Sequence, residues 1–336
     1  MQRVDVHHHY LPPFYVQALK DGGGDPSGWA TPDWTVEKDL QFSKDEGIAY
    51  SFLSITAPGP EIVPRDKQAQ FCRQANDHAA ALCSASSASY GFFATIPNLL
   101  DVAAAQEEIK YALDVLKADG VTLYTRYGSN YLGHPDFQSI WDLLNSRGAV
   151  VFVHPTHPVD TSLVSPSLPQ PMIDYPHETT RTAVDLIISG TMRRYPDAKV
   201  ILSHAGGTLP WLAMRPAMML PYLASSAANL KDGGPAAKDR MVVSFLEDAR
   251  RFYFDTALSA GPLTLGLLKE FAQADHILFG SDYPYAPAPV IEQMDKLLDE
   301  YGKNGNESFA QSTNVGAAMK LFPRLSNLIA DAQTRI

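Results

Sequence analysis

Cysteine is scarce in this chain of 336 residues, with only Cys72 and Cys83 present. The two fall in one stretch of helical spacing, about three turns apart, which is too far along an axis for a disulfide. Basic residues are also in the minority: 27 Lys and Arg stand against 37 Asp and Glu, giving a formal net charge of -10 and a pI near 5.4. Nucleic acid and anionic membranes are bound through clustered Lys and Arg, so neither is an expected partner. No apolar run approaches the roughly 20 residues that span a bilayer, and no basic leader precedes an apolar stretch. The protein is therefore expected to be soluble and cytoplasmic. Internal repeats and low-complexity tracts are absent too.

What is present is 45% hydrophobic residues, enough to bury one large core, so residues 1–336 are read as a single domain. Eight short runs rich in β-branched or aromatic residues, at 3–9, 48–56, 90–97, 121–125, 149–154, 199–204, 252–256 and 276–282, alternate with stretches of helical spacing. The helical candidates are 102–117, 137–145, 182–195, 265–272 and 290–301, the last with Gly302 as its stop. Continuous apolar strands such as Val150-Val151-Phe152-Val153 suit a parallel sheet covered on both faces. The fold class is thus α/β, a (β/α)8 TIM barrel, preferred over an open doubly wound sheet. Segment 156–176 carries Pro158, Pro166, Pro169, Pro171 and Pro176 and reads as a long loop after the fifth strand, where loops serve a site or a subunit contact.

The chemistry concentrates at strand ends. In Val4-Asp5-Val6-His7-His8-His9, residues two apart share a face, so His7 and His9 point together and His8 points away, toward the surrounding helices. The fifth strand ends in His154, the sixth in Ser203-His204-Ala205-Gly206-Gly207, and the eighth in Gly280-Ser281-Asp282. One polar strand end means little, since buried hydrogen-bonded histidines are common. Four that aim at the catalytic mouth of a barrel are hard to explain by packing. His7, His9, His154 and Asp282 together offer three imidazoles and a carboxylate, a borderline-soft set suited to one divalent ion, Zn2+ before Mn2+ or Fe2+. His204 reads as a further ligand or as an acid/base beside the ion. Glycines 206 and 207 either admit substrate to the backbone or form an ordinary turn, and Asp255 either binds substrate or caps the next helix.

These motifs resemble those of the amidohydrolase superfamily, in its aminocarboxymuconate-semialdehyde decarboxylase-like branch, and most of all the fungal 6-methylsalicylate decarboxylases. The resemblance runs from Asp5-Val6-His7-His8-His9-Tyr10-Leu11-Pro12-Pro13 through His154-Pro155-Thr156-His157-Pro158 and His204-Ala205-Gly206-Gly207 to Phe279-Gly280-Ser281-Asp282-Tyr283-Pro284. It implies an amidohydrolase-type barrel, one divalent metal on His7, His9, His154 and Asp282, and a homodimer. Zn2+ is favoured because branch members with glutamate in place of His7 are those that take Mn2+ or Mg2+. It also implies a catalytic His204, and a substrate-carboxylate arginine at Arg215, often supplied across the dimer. The carboxymuconate enzymes carry another arginine after the second strand, for which Arg65 is only a candidate here.

The implied reaction is non-oxidative decarboxylation of an ortho-hydroxybenzoate, 6-methylsalicylate to 3-methylphenol and CO2, with Asp282 or His204 delivering the proton. Aromatic and apolar candidates for the ring pocket are Tyr10, Leu11, Phe93, Tyr124, Tyr283 and Tyr285, each near an expected strand end, where such residues are more often simple packing. The alternative is metal-dependent hydrolysis of a lactone or amide, with Asp282 accepting a proton from water. Two-metal amidohydrolases carry a bridging lysine after the fourth strand, where this chain reads Thr122-Leu123-Tyr124-Thr125-Arg126, so a single metal and the decarboxylase branch are preferred.

Overall fold

The computed structural model describes residues 2–223 and 235–325. Eight parallel strands make one sheet: β1 (Arg3–His9), β2 (Ile48–Ser54), β3 (Tyr90–Thr95), β4 (Gly120–Tyr124), β5 (Val150–His154), β6 (Lys199–Leu202), β7 (Tyr253–Asp255) and β8 (Ile277–Leu278). Their order in the sheet is their order in the chain. Every run expected from the sequence carries a strand. β8 is the shortest because the residues after Leu278 leave the regular ladder and meet β1 through single bonds. Val6 N donates to the Phe279 carbonyl (3.0 Å), Asp282 N to that of His7 (2.8 Å) and His9 N to that of Tyr283 (2.7 Å). These bonds close the barrel.

The near-continuous apolar runs are explained by burial on both faces. Phe52, Phe93, Phe152, Ile201 and Leu278 fill the barrel's interior with Phe322, while Leu53, Val121, Val151, Val153 and Leu202 face the enclosing helices. Helix 102–117 is α-helical over Val102–Lys110 and widens to a π turn over Tyr111–Val115. The helix after β5 starts earlier than its apolar spacing suggested, at Asp174, so the last three residues of the expected 156–176 loop belong to its first turn. Gly302 does not stop its helix, which runs Ala288–Lys303 and buries Gly302 against Ala310. Cys72 and Cys83 are both free thiols on the helix Gln68–Ala85.

Candidate metal centre

His7 and His9 leave the same side of β1 toward the barrel axis, and His154 and Asp282 arrive from the ends of β5 and β8. Their ligand atoms lie within 4.8 Å of one another. His7 Nε2 stands 3.1 Å from His9 Nε2, and Asp282 Oδ1 stands 3.3 Å and 3.1 Å from these two nitrogens. The other nitrogen of each ring already has an acceptor. His7 Nδ1 meets Asp255 Oδ2 at 2.8 Å, His9 Nδ1 the Ser54 carbonyl at 3.2 Å and His154 Nδ1 the Pro155 carbonyl at 2.7 Å. These acceptors fix the ring proton on Nδ1 and leave a lone pair on each Nε2. Two such lone pairs 3.1 Å apart repel unless a cation or proton lies between them. Zinc–nitrogen bonds of about 2.0–2.1 Å in a tetrahedron separate donors by about 3.3 Å. The donor set and its spacing fit one divalent ion.

Electrostatics agree. Burial holds the His9 imidazole below its ordinary pKa, against the pull of Asp282. Burial, reinforced by His9 and His7, holds His154 well below. Both shifts favour the neutral ring, the form that can offer a lone pair to a cation. Burial acts alike on His7, but Asp255 and Asp282 outweigh it and carry that ring up to about 10. Burial would raise Asp282, yet His7 and His9 keep its carboxyl well below the usual range. The cluster therefore calls for positive charge, which a divalent ion supplies at the same point as a proton on His7. His8 faces outward as its register requires, with Nδ1 2.9 Å from Asp5 Oδ2 and Nε2 2.8 Å from Asp39 Oδ2.

His204 sits beyond the donors, its Nε2 4.0 Å from Asp282 Oδ2 and its Nδ1 3.1 Å from the Ala257 carbonyl. The donor set closes on three imidazoles and Asp282 without it. A cavity of about 380 Å³ opens above, walled by His154, His204, Asp282 and Tyr285 together with Trp29, Tyr175 and Val290. That is the size and mixed polarity of a small-molecule site.

The expected substrate residues fare unevenly. Tyr10 lies in the core with its hydroxyl on the Ala75 carbonyl (2.9 Å), away from the cavity. Phe93 stacks on Phe52 and meets Phe322 at a tilt in the barrel interior, below the histidines, because it is held in a layer of rings. Asp255 neither touches the cavity nor caps a helix: it orients His7 through Oδ2 and accepts His204 N (2.9 Å) and Ala257 N (3.0 Å) through Oδ1. Arg215 is exposed on the short helix Met214–Met219 and does not reach the cavity of its own chain. Arg65 is exposed as well, in the turn Arg65–Lys67. Of the ring-pocket candidates only Tyr285 lines the cavity; Leu11, Tyr124 and Tyr283 are buried in packing. Glycines 206 and 207 serve the turn. Both have positive φ, and a Cβ on Gly207 would meet the Pro176 carbonyl at 1.9 Å, so this backbone faces protein.

Sequence reasoning missed Asp25, Ser27 and Trp29, from the loop after the first helix, and Tyr175, Leu258 and Val290. A tryptophan within Gly22-Gly23-Gly24-Asp25-Pro26-Ser27-Gly28-Trp29, a segment with no periodic pattern, was the available signal. Pro171 and Met172, from the stretch read as a loop after the fifth strand, also line the wall.

Known proteins carry the same architecture. The amidohydrolase family model matches residues 4–313. A 6-methylsalicylic acid decarboxylase of Penicillium expansum is 49% identical over 99% of this chain and all of its own length. A solved amidohydrolase structure superposes with a TM-score of 0.84 at 29% identity, over 96% of this chain and 100% of that one. A dihydroxybenzoic acid decarboxylase of Polaromonas, solved with bound manganese and 2-nitroresorcinol, shares the fold at a TM-score of 0.74 and 20% identity, over 96% of this chain and 97% of that one. With its donor set at the closing end of the barrel and a family match over most of its length, the chain belongs to the amidohydrolase family.

Proposed function

We propose that the protein is a metal-dependent, non-oxidative decarboxylase of a monocyclic ortho-hydroxybenzoate, with 6-methylsalicylate converted to 3-methylphenol and CO2 as the leading reaction. The observation that carries this reading is the four-donor cluster directly beneath a small, largely apolar cavity, with the Asp282–His204 pair at their junction. The 49% identical 6-methylsalicylic acid decarboxylase supports the choice of acid. We propose Zn2+ as the ion, on the strength of three imidazole donors.

Decarboxylation of a hydroxybenzoate needs a proton on the ring carbon that bears the carboxylate. The carbon–carbon bond then breaks, its electrons restore the aromatic ring, and CO2 leaves. A bound divalent ion supplies Lewis acidity and a template for adjacent phenolate and carboxylate oxygens. His7, His9, His154 and Asp282 would hold it. Asp255 keeps the His7 ring oriented through its Nδ1. Trp29, Tyr175 and Tyr285 form the wall against which an aromatic ring can lie. The proton comes from the Asp282–His204 pair. A carboxyl held well below its ordinary pKa is a reluctant acid, and the His204 imidazole stands 4.0 Å from it as the second member of the pair.

The cavity wall contains no lysine or arginine among the described residues. An anionic substrate is better held if a cation arrives from outside the chain, and this favours a homodimer in which Arg215 reaches the partner's cavity. No helix among the described residues is long and apolar enough to cross a membrane, and the free thiols Cys72 and Cys83 suit the cytoplasm, where we place the protein.

The test is CO2 release by metal-loaded protein from salicylate, 6-methylsalicylate and dihydroxybenzoates, without oxygen, nicotinamide or organic cofactor. Benzoate, which cannot chelate through a neighbouring phenolate, should be inert. CO2 release from benzoate at the same rate would overturn the requirement for a chelating ortho-hydroxyl, and rapid lactone hydrolysis with no CO2 from any hydroxybenzoate would overturn the assignment in favour of a hydrolase.

A further inference from the structure

Asp5 is fully buried where the barrel closes, and its carboxylate collects four donors. Oδ1 accepts His7 N (3.0 Å) and Ser281 N (3.1 Å); Oδ2 accepts Ser281 Oγ (2.5 Å) and faces His8 Nδ1 (2.9 Å). Regular pairing fails on both sides of this point. The β1–β2 register shifts between Asp5 and His8, and β8 pairs with β7 only over Ile277 and Leu278. The amides of His7 and Ser281, which a continuous ladder would have satisfied, end on one side chain instead. These two amides belong to a metal donor residue and to the residue preceding another, Asp282.

The carboxylate is in turn held from behind. His8 Nε2 meets Asp39 Oδ2 at 2.8 Å, and Asp39 also accepts Trp34 Nε1 (2.7 Å) and Tyr90 Oη (2.5 Å). The chain Asp5–His8–Asp39 thereby anchors the seam to the helix Val36–Asp45 and to β3. None of the three side chains lines the cavity, so none touches substrate.

We propose that Asp5 is a positioning residue of the metal centre: by tying the main chain at His7 to that at Ser281, its carboxylate sets the spacing between the His7/His9 donors and the Asp282 donor, with His8 and Asp39 fixing its orientation. The inference rests on the metal-centre reading and not on the identity of the acid decarboxylated. A buried carboxylate could instead serve only global stability, and the two roles separate in measurement.

Asp5→Asn keeps the shape but removes the charge and cannot accept at its amide nitrogen, so two of the four bonds are lost or must reverse direction. In metal-stripped full-length protein, Zn2+ affinity measured by chelator competition should fall about 10- to 100-fold, the usual effect of removing an outer partner of a metal ligand. Ser281→Ala removes one of the four donors to Asp5, together with the acceptor of the Tyr283 amide (3.0 Å), and should cost less, about threefold to tenfold, while keeping the wild-type circular dichroism spectrum; it decides the matter if Asp5→Asn does not fold. Asp119→Asn is the control, a buried carboxylate paired with Arg324 outside the cavity. It should lower the thermal midpoint and leave Zn2+ affinity within about twofold. Wild-type affinity in Ser281→Ala and in folded Asp5→Asn, or an equal loss in Asp119→Asn, would overturn the proposal. Because the readout is metal affinity, weakened binding in an enzyme that releases no CO2 would leave the clamp standing and remove only the substrate assignment.

Discussion

His204 Nε2 faces Asp282 Oδ2 at 4.0 Å, and both residues hold left-handed backbone, with φ of 53° and 64°. Such conformations cost a non-glycine residue on the order of 1 kcal/mol or more and persist where surrounding bonds impose them. For His204 these are Asp255 Oδ1 on its amide and the Ala257 carbonyl on its ring. For Asp282 it is the bond from its amide to the His7 carbonyl. The geometry thus brings an imidazole to the edge of the donor set without placing it among the donors. His204→Asn, which tolerates this backbone, should keep full metal content and lose about 10²- to 10⁴-fold in kcat. Metal analysis alongside single-turnover CO2 release checks both halves, and loss of metal would move His204 into the coordinating group.

The Nε2 atoms of His7 and His9 face each other only in the folded chain, so an ion held between them should stabilise the folded state. At a free concentration near 100 times Kd, binding contributes about 2.7 kcal/mol, which for a chain of this size corresponds to about 4 °C in Tm. A strong chelator should lower the thermal midpoint by about that much, and added Zn2+ should restore it. His9→Ala should show neither response. A wild-type midpoint indifferent to chelator and metal would remove the centre.

Strand order and donor set were legible because each depends on local rules: period-two alternation on β1 put His7 with His9, and doubly buried strands read as apolar runs. The cavity wall was not, since Trp29, Tyr175 and Leu258 come from loops and a helix start whose placement depends on long-range packing. Phe93 and Tyr10 illustrate the converse error. Both lie near strand ends, yet Phe93 belongs to a layer beneath the donors and Tyr10 to the helix interface, and sequence position cannot tell layers apart. Asp255 was noticed for the wrong partner: its His7 contact joins residues 248 positions apart.

Asp295 gives a pH dependence separate from the Asp282–His204 pair. Burial dominates and raises its carboxyl, Arg3 opposes, and Glu46, Asp5 and Asp299 add to the rise, leaving it at about 7. An aspartate raised above its unfolded value near 4 binds its proton more tightly when folded. It is least costly to the native state below pH 4, and the penalty grows as pH climbs to about 7. Asp295→Asn should therefore gain stability relative to wild type on going from pH 5 to pH 8, by about 1–3 kcal/mol at about 1.4 kcal/mol per pKa unit. Arg3 has a second partner in Asp299, 3.1 Å away, which the substitution does not remove. Urea unfolding of both proteins at the two pH values measures the difference, and a gap that stays constant would show that Asp295 is ordinary.

Arg215 offers the test of subunit sharing. It is exposed beside Trp211, Met214, Met218, Met219 and Tyr222, each more than half exposed, an apolar surface of the kind that marks association in soluble proteins. A wide helix stripe packed on its own barrel would have buried these side chains, and the described structure does not. If the surface pairs with a second copy, the guanidinium can enter the partner's cavity, where no cation of the same chain is found among the described residues. Arg215→Ala and His154→Ala should each be inactive alone, the first for want of the substrate clamp and the second for want of a donor. In a mixed dimer, the wild-type arginine of the His154→Ala subunit faces the intact donor set of the other, so one complete site forms. Mixing the two at equal concentration should restore up to about a quarter of wild-type activity, since about half the dimers are mixed and each holds one site of two. Recovery at that level locates Arg215 across the interface. With subunit exchange shown by labelled protomers, no recovery would place the arginine outside the partner's site.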